Sequence, residues 1–383
     1  MTPSSDAPTP AIGILNRESQ PPSSIDSLPD PQTRPYEWIL HPVLDLLFCC
    51  GGAVWIFYAI HFLAFGPEST AKPVQIMLAL SALGAIGLSE THVVATLQRI
   101  YCKRDQRRKF APYTVWAAVG CALVGLAGCF FEQLVPVFLK VYLLFVAQHF
   151  TAQTYGLALL YCAKRAYVLK AWEKRILGAL MQSTMLAAVL RQLTFRDWGD
   201  ANLFGYQLPF WGPLPAWICQ AADTCVGICA LAMVMVVGRK WQACGRFMPL
   251  PAVLLTVTGV VIFIVGKHIN STLWIYVPAF FHGSQYIAVS LAFYLKEKGL
   301  PAGISAREIA TQVTEPVAIR YLTLLFVCAV CFFHGLPFAA HLIGLKATTI
   351  AASTFAAIHF HHFLADRAIW KLRDSDVRKL LIA

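Results

Sequence analysis

Long apolar runs separated by short basic segments dominate the chain beyond residue 34. About 20 mostly apolar residues in a helix suffice to cross the hydrocarbon layer of a bilayer. Ten runs reach or approach this length, and the pattern therefore predicts an all-α, polytopic membrane bundle of about ten transmembrane helices within residues 35–371. The runs cover residues 42–64, 74–98, 113–132, 136–162, 176–194, 215–237, 248–266, 272–295, 318–343 and 347–370.

The two ends of the chain have a different composition from the apolar runs. Residues 1–34 are rich in Pro, Ser, Asp and Thr and have no apolar period, which is typical of a disordered tail. Residues 372–383 carry basic side chains, and we predict that they form a short cytoplasmic tail.

Composition and charge strengthen the membrane interpretation. Of the 383 residues, 57% are apolar and only 13% are charged, whereas soluble domains carry about 25% charged residues. With the N-terminus inside, 24 of the 31 Lys and Arg residues fall in cytoplasmic segments, as the positive-inside rule requires. We therefore expect both termini in the cytoplasm and a multi-pass protein of a bacterial-type inner membrane. Because these charges lie in many short gaps, they do not predict a nucleic-acid partner.

Histidine at membrane depth is the main chemical feature of the sequence. Such side chains are costly in a bilayer unless they are paired, and they usually mark a functional site. Because residues three and four apart share a helix face, His359, His362 and Asp366 line one stripe, and His361 points elsewhere. The predicted metal ligands are His92, His149, His282, His359, His362 and Asp366. The polar residues predicted to support these ligands or to contact a substrate are Glu90, Gln153, Gln285, Tyr286 and His361.

Neutral imidazole binds iron, copper and zinc. The leading hypothesis is a metal-dependent membrane oxidoreductase, with iron as the expected metal and a lipid or other apolar substrate. Its site would face the cytoplasm, where an electron donor can reach it. The run His359-Phe360-His361-His362 resembles, over one helical turn, a histidine box of membrane desaturases and hydroxylases. The HxxxH box of those enzymes is absent from the sequence.

Two other functions fit the same residues. His149 and His282, at similar depth in two runs, could be axial ligands of a b-type haem. A transporter or channel could instead use the His and Asp side chains as a proton or metal-ion path. The sequence contains no Walker, GxSxG, GxGxxG or HExxH motif, which argues against nucleotide-driven transport and several hydrolase classes.

Overall fold

The computed structural model of the chain describes residues 36–65, 72–199, 201–265, 271–299, 308–371 and 374–382. The predicted disordered tail over residues 1–34 lies outside the described residues. The first half of the chain forms α1 (Pro42–Leu44), α2 (Gly52–Phe65), α3 (Lys72–Ala85), α4 (Thr91–Tyr101), α5 (Arg104–Lys109), α6 (Ala118–Phe130), α7 (Val135–Lys164) and α8 (Ala171–Thr194).

The second half of the chain is also helical, apart from one small hairpin. The strands β1 (Asn202–Leu203) and β2 (Tyr206–Gln207) pair antiparallel, with Asn202 opposite Gln207. The helices are α9 (Arg196–Gly199), α10 (Ala216–Cys244), α11 (Leu250–Val265), α12 (Ser271–Tyr294), α13 (Pro316–Val330), α14 (Leu336–Leu342), α15 (Ala347–Ile369) and α16 (Ser375–Ile382). The fold is therefore all-α, as the sequence predicts.

Several helices are interrupted or flanked by π-helical turns. These turns cover Asp45–Cys49, Ile86–Glu90, Pro112–Ala117, Leu295–Gly299 and Cys331–Gly335. A π turn inserts one extra residue in a helical turn and is often found at functional sites. The turn Ile86–Glu90 joins α3 to α4 and lies two residues before His92.

Within the described residues, six helical segments are long and apolar enough to cross a membrane, and a bent pair, Pro42–Cys49 with Gly52–Leu63, raises this to seven. The six segments are Ala79–Tyr101, Pro112–Phe130, Glu132–Lys164, Ala171–Thr194, Ala216–Cys244 and Pro316–Leu342. Helices also occupy the other predicted runs, but α11 is shorter, and α12 and α15 carry histidine and other polar side chains. Ten crossings and cytoplasmic termini therefore stay predictions.

Exposed apolar side chains also indicate an integral membrane protein. On α10, Ile228, Leu231 and Val234 are each more than 60% exposed, and similar side chains cover the outer faces of α6 and α13. Soluble monomers rarely expose apolar surface on this scale. Lipid is the environment that these helix faces fit.

A bend between α1 and α2 depends on one glycine and one buried carboxylate. Gly51 has a φ of 89°, and a Cβ there would lie 2.4 Å from the Thr258 side chain on α11. Asp45, which is fully buried, accepts hydrogen bonds from the backbone N–H groups of Ile39 (2.6 Å) and Leu40 (3.0 Å). It also accepts one from the Tyr161 hydroxyl (2.8 Å). These bonds attach the first helices to α7.

Four helices, α4, α7, α12 and α15, form the centre of the bundle, where α12 contacts α4 and α7, and α15 contacts α4 and α7. Small residues allow close approach in this region. A Cβ on Gly283 of α12 would lie 2.9 Å from the backbone of Leu88 and Ser89 in the π turn before α4. The residues after the last long helix form α16, which packs Val377 and Leu381 onto the core.

Candidate metal centre

Four buried histidines converge at the centre of the bundle, one from each central helix. His92 lies on α4, His149 on α7, His282 on α12 and His362 on α15. These four residues are at most 6% exposed. Each offers one ring nitrogen, and these four atoms all lie within 4.8 Å of one another. Of the predicted ligands, the structure therefore brings these four together.

The four Nε2 atoms form a closed ring. Nε2 of His92 lies 3.1 Å from those of His362 and His282. Nε2 of His149 lies 3.1 Å from that of His282 and 3.0 Å from that of His362. Neighbouring imidazole planes cross at 67–87°, so the four rings present their nitrogen edges, not their faces, to a common point.

This geometry fits a single transition-metal ion. If the four Nε2 atoms formed a flat square with edges of 3.0–3.1 Å, an ion at its centre would lie about 2.2 Å from each nitrogen. If they formed a tetrahedron with the same edges, this distance would be about 1.9 Å. The usual metal–imidazole distance of about 2.0–2.1 Å lies between these two values. Four nitrogen donors suit iron, copper, zinc or nickel, whereas calcium and magnesium prefer oxygen.

A chain of polar groups leads away from His362. Its Nδ1 lies 2.8 Å from Thr96 Oγ1, which lies 2.5 Å from the Tyr286 hydroxyl. Trp370 Nε1 donates to the same hydroxyl at 2.8 Å. A ligand histidine that binds metal through Nε2 keeps its proton on Nδ1, and the partner of that N–H fixes the tautomer and orientation of the ring. Thr96 is positioned to do this for His362.

Two glutamines support His282. Gln153 Nε2 donates to the His282 carbonyl at 3.0 Å and to Gln285 Oε1 at 2.9 Å. Gln285 Nε2 in turn donates to the Cys49 carbonyl at 3.0 Å. This network ties α12 to α7 and to the π turn after α1, so the two glutamines hold the position of the helix that carries His282.

Asp366 lies beside the four histidines but outside their ring. Its Oδ2 is 3.9 Å from Nε2 of His149, and its other carboxylate oxygen is buried without a hydrogen-bond partner among the described residues. Tyr286 and Trp370 also approach this carboxylate. Asp366 thus provides a negative charge next to a set of neutral donors.

His359 does not join the ring of ligands. Its Nδ1 lies 2.8 Å from the Phe355 carbonyl one turn earlier on α15. Its imidazole packs against the rings of Tyr142, Phe333 and Phe355. The face of α15 that carries His359 meets an aromatic wall, which is why this histidine is separated from His362 although both lie on one stripe.

Two of the predicted supporting residues also lie away from the four histidines. His361 Nε2 is 2.9 Å from the Tyr113 carbonyl and 3.2 Å from the Tyr101 hydroxyl, so it links α15 to the segments flanking α5. Glu90 pairs with His334 on the π turn before α14, at 2.9 Å. Both contacts connect helices, as polar residues often do in membrane bundles.

The haem alternative has no support from this geometry. Axial haem ligands bind on opposite faces of the porphyrin, but the Nε2 atoms of His149 and His282 are only 3.1 Å apart. His92 and His362 occupy the remaining sides of the same ring of nitrogens. The four histidines therefore surround a space that fits one metal ion.

A cavity of about 290 Å³ lies beside the four histidines, and of these four only His149 lines it. His149 and Asp366 form part of its wall, with Gln153 and Tyr286 beside them. Much of the remaining wall is apolar, for example Leu157 of α7. A small molecule in this cavity would lie next to the metal position.

Two residues next to the site were not among the predicted ones. Thr96 lies one turn after His92 on α4, and Trp370 lies one turn after Asp366 at the end of α15. Each of them lies four residues after a predicted ligand and so shares a helix face with it, and this spacing is the sequence signal that could have identified both.

Comparison with protein-family models, with curated proteins and with solved structures found no match to this chain. The four-histidine group and the apolar helices are compatible with a membrane metalloprotein.

Proposed function

We propose that this protein is a membrane-embedded, metal-dependent oxidoreductase that acts on a lipid or other apolar substrate. The observation that carries the proposal is the closed ring of four Nε2 atoms, with neighbouring atoms 3.0–3.1 Å apart, from four different helices. Four imidazoles in contact inside a bundle are costly without a partner, because each must give up its hydration.

The donor set can hold a redox-active ion. Nitrogen ligands stabilise both common oxidation states of iron and copper, and such an ion supplies one-electron chemistry when it is bound. We propose iron as the resident metal. The neutral imidazoles would leave the whole ionic charge uncompensated in a region of low dielectric, and the nearby Asp366 carboxylate offsets part of it.

The cavity beside His149 is the proposed substrate site. Its apolar walls suit a lipid-like molecule, and Gln153 and Tyr286 can orient a polar group on that molecule. Binding sites of this kind combine apolar walls with a few polar contacts. An electron donor on the cytoplasmic side is the proposed redox partner, and the bilayer is the proposed source of the substrate.

Metal analysis of the purified protein tests the proposal. The protein is extracted in mild detergent without chelators, and bound metals are measured by mass spectrometry. We expect about one transition-metal ion per chain, because the four donors surround one position. His92→Ala and His282→Ala should each retain roughly tenfold less metal, because losing a ligand costs at least as much as losing a supporting contact. His341→Ala, an exposed histidine on α14, is the matched control.

The redox part of the proposal has its own readout. Adding dithionite to the metal-loaded protein, and then air, should change and restore its visible or paramagnetic resonance spectrum. Wild-type protein without stoichiometric metal, or equal metal in all three variants, contradicts a metal site. Stoichiometric zinc with no spectral response contradicts the oxidoreductase while leaving the metal site standing, since zinc has no redox chemistry.

A further inference from the structure

A second cavity lies at the end of the bundle that carries α5. Its volume is about 320 Å³, and its wall includes residues of α4, α5, α12, α13 and α16. Lys109 and Cys102 on its rim are exposed, so the cavity reaches the surface. It contains none of the four ligand histidines.

The charges in this cavity do not balance. Two of its three cations are neutralised: Lys103 pairs with Glu297, and Lys109 pairs with Asp374 at 2.6 Å. The third, Arg99, has no carboxylate within ion-pair distance among the described residues. The charged lining residues therefore sum to one net positive charge, and the guanidinium of Arg99 is the cation without an ion-pair partner among them.

Aromatic rings fix the position of that guanidinium. Its central carbon lies 3.8 Å from the ring centre of Phe293 and 3.9 Å from that of Trp370. The two rings are perpendicular, with centres 5.7 Å apart, so they contact the group from two adjacent directions and do not sandwich it. Nη2 donates to the Ile369 carbonyl at 3.2 Å, while Nε and Nη1 have no partner among the described residues.

The guanidinium of Arg99 is therefore fixed in position but has no anionic hydrogen-bond acceptor among the described residues. Its planar set of donors matches the paired oxygens of a phosphate or carboxylate, and a fixed group loses little entropy on binding. We infer that the Arg99 cavity is a binding site for an anionic, phosphate- or carboxylate-bearing ligand. Neutral lining residues, such as Gln98 and Tyr294, can contact the remainder of that ligand.

The inference is independent of the proposed oxidoreductase, since it requires no metal. The site is nevertheless connected to the histidines, because Trp370, which covers Arg99, donates to Tyr286 and so joins the chain that ends at His362. The anion can come from an anionic lipid headgroup or from a soluble molecule, and both present the same oxygens to Arg99.

The test uses two probes with the full-length protein. Inorganic phosphate, titrated into detergent-solubilised protein by calorimetry, represents a soluble anion. Nanodiscs of phosphatidylglycerol or of phosphatidylcholine, with bound lipid counted by native mass spectrometry, represent a headgroup. In wild-type protein, we expect phosphate binding, or a preference for phosphatidylglycerol, and the probe that binds identifies the source.

Three variants assign the binding to Arg99. Arg99→Gln should weaken binding about 10-fold to 100-fold, as expected for loss of hydrogen bonds to a charged group. Arg99→Lys keeps the charge but loses the planar donors, and it should fall between wild type and Arg99→Gln. Arg165→Gln removes another guanidinium that lies over an aromatic ring, that of Trp38 at 4.5 Å, and should bind as wild type does.

The inference is overturned if wild-type protein binds neither probe, or if Arg165→Gln loses as much binding as Arg99→Gln. If Arg99→Gln does not fold, Arg99→Lys decides: unchanged binding of both probes by this variant also overturns the inference.

Discussion

The contact between Thr96 and His362 offers a sharp test of the metal centre. Thr96→Val replaces the hydroxyl by a methyl group of similar size. It removes the contact to His362 Nδ1 (2.8 Å) and the contact to the Tyr286 hydroxyl (2.5 Å). Thr96 is fully buried, so water cannot replace the lost acceptor.

The size of the effect follows from that burial. An N–H left unpaired in the interior costs about 1–3 kcal/mol, and loss of a group that supports a ligand histidine lowers metal affinity by about 10-fold to 100-fold. The two estimates agree, since each tenfold change corresponds to about 1.4 kcal/mol. We therefore expect Thr96→Val to bind metal about 10 to 100 times more weakly than wild type does.

Competition against a chromophoric chelator measures this affinity in detergent. Thr184→Val is the matched control: this threonine is also buried, but its hydroxyl bonds only to the Leu180 carbonyl of its own helix, at 2.8 Å. It should bind metal as wild type does. Equal metal affinity in wild type and Thr96→Val would refute a supporting role for Thr96.

Three further predictions concern charge, packing and stability. Asp366→Asn removes the carboxylate near His149. It should raise the midpoint potential of the bound metal, measured by spectroelectrochemistry, because a nearby negative charge stabilises the oxidised ion more than the reduced ion. An unchanged or lower potential would contradict charge compensation by Asp366. Gly283→Ala places a methyl group against the π turn before α4 and should lower metal content, whereas Gly227→Ala, which meets no neighbour, should not; equal metal content in both variants would contradict a close contact between α12 and that turn. Asp45→Ala leaves several buried donors unpaired and should cost about 3 kcal/mol of stability, seen as a lower thermal midpoint in detergent; an unchanged midpoint would count against its role in attaching the first helices to α7.

The helices were predictable from the sequence because their signal is local. Long apolar runs with prolines near their starts, such as Pro136 and Pro316, mark segments that the structure shows to be helical. The apolar signal is weaker in the helices that carry the candidate site. The helices α12 and α15 carry the polar residues of the site, and for that reason they are less apolar than a typical span.

The candidate site was only partly predictable, since its geometry depends on contacts between distant helices. Depth in the membrane selected His92 and His282, but it could not show that they meet across 190 residues. On α15, His359 and His362 share a stripe, and only the packing of aromatic side chains around His359 separates them. The role of Thr96 likewise depends on a partner from another helix.

X-ray absorption spectroscopy of the metal-loaded protein tests the central claim most directly, because it counts and identifies the atoms bound to the ion. The four-histidine ring predicts a shell that includes four nitrogen atoms at about 2.0–2.2 Å, with the multiple-scattering pattern of imidazole. The pattern should weaken by one imidazole in His282→Ala. A shell of oxygen or sulfur atoms, or fewer than three imidazoles in the wild-type protein, would contradict the account.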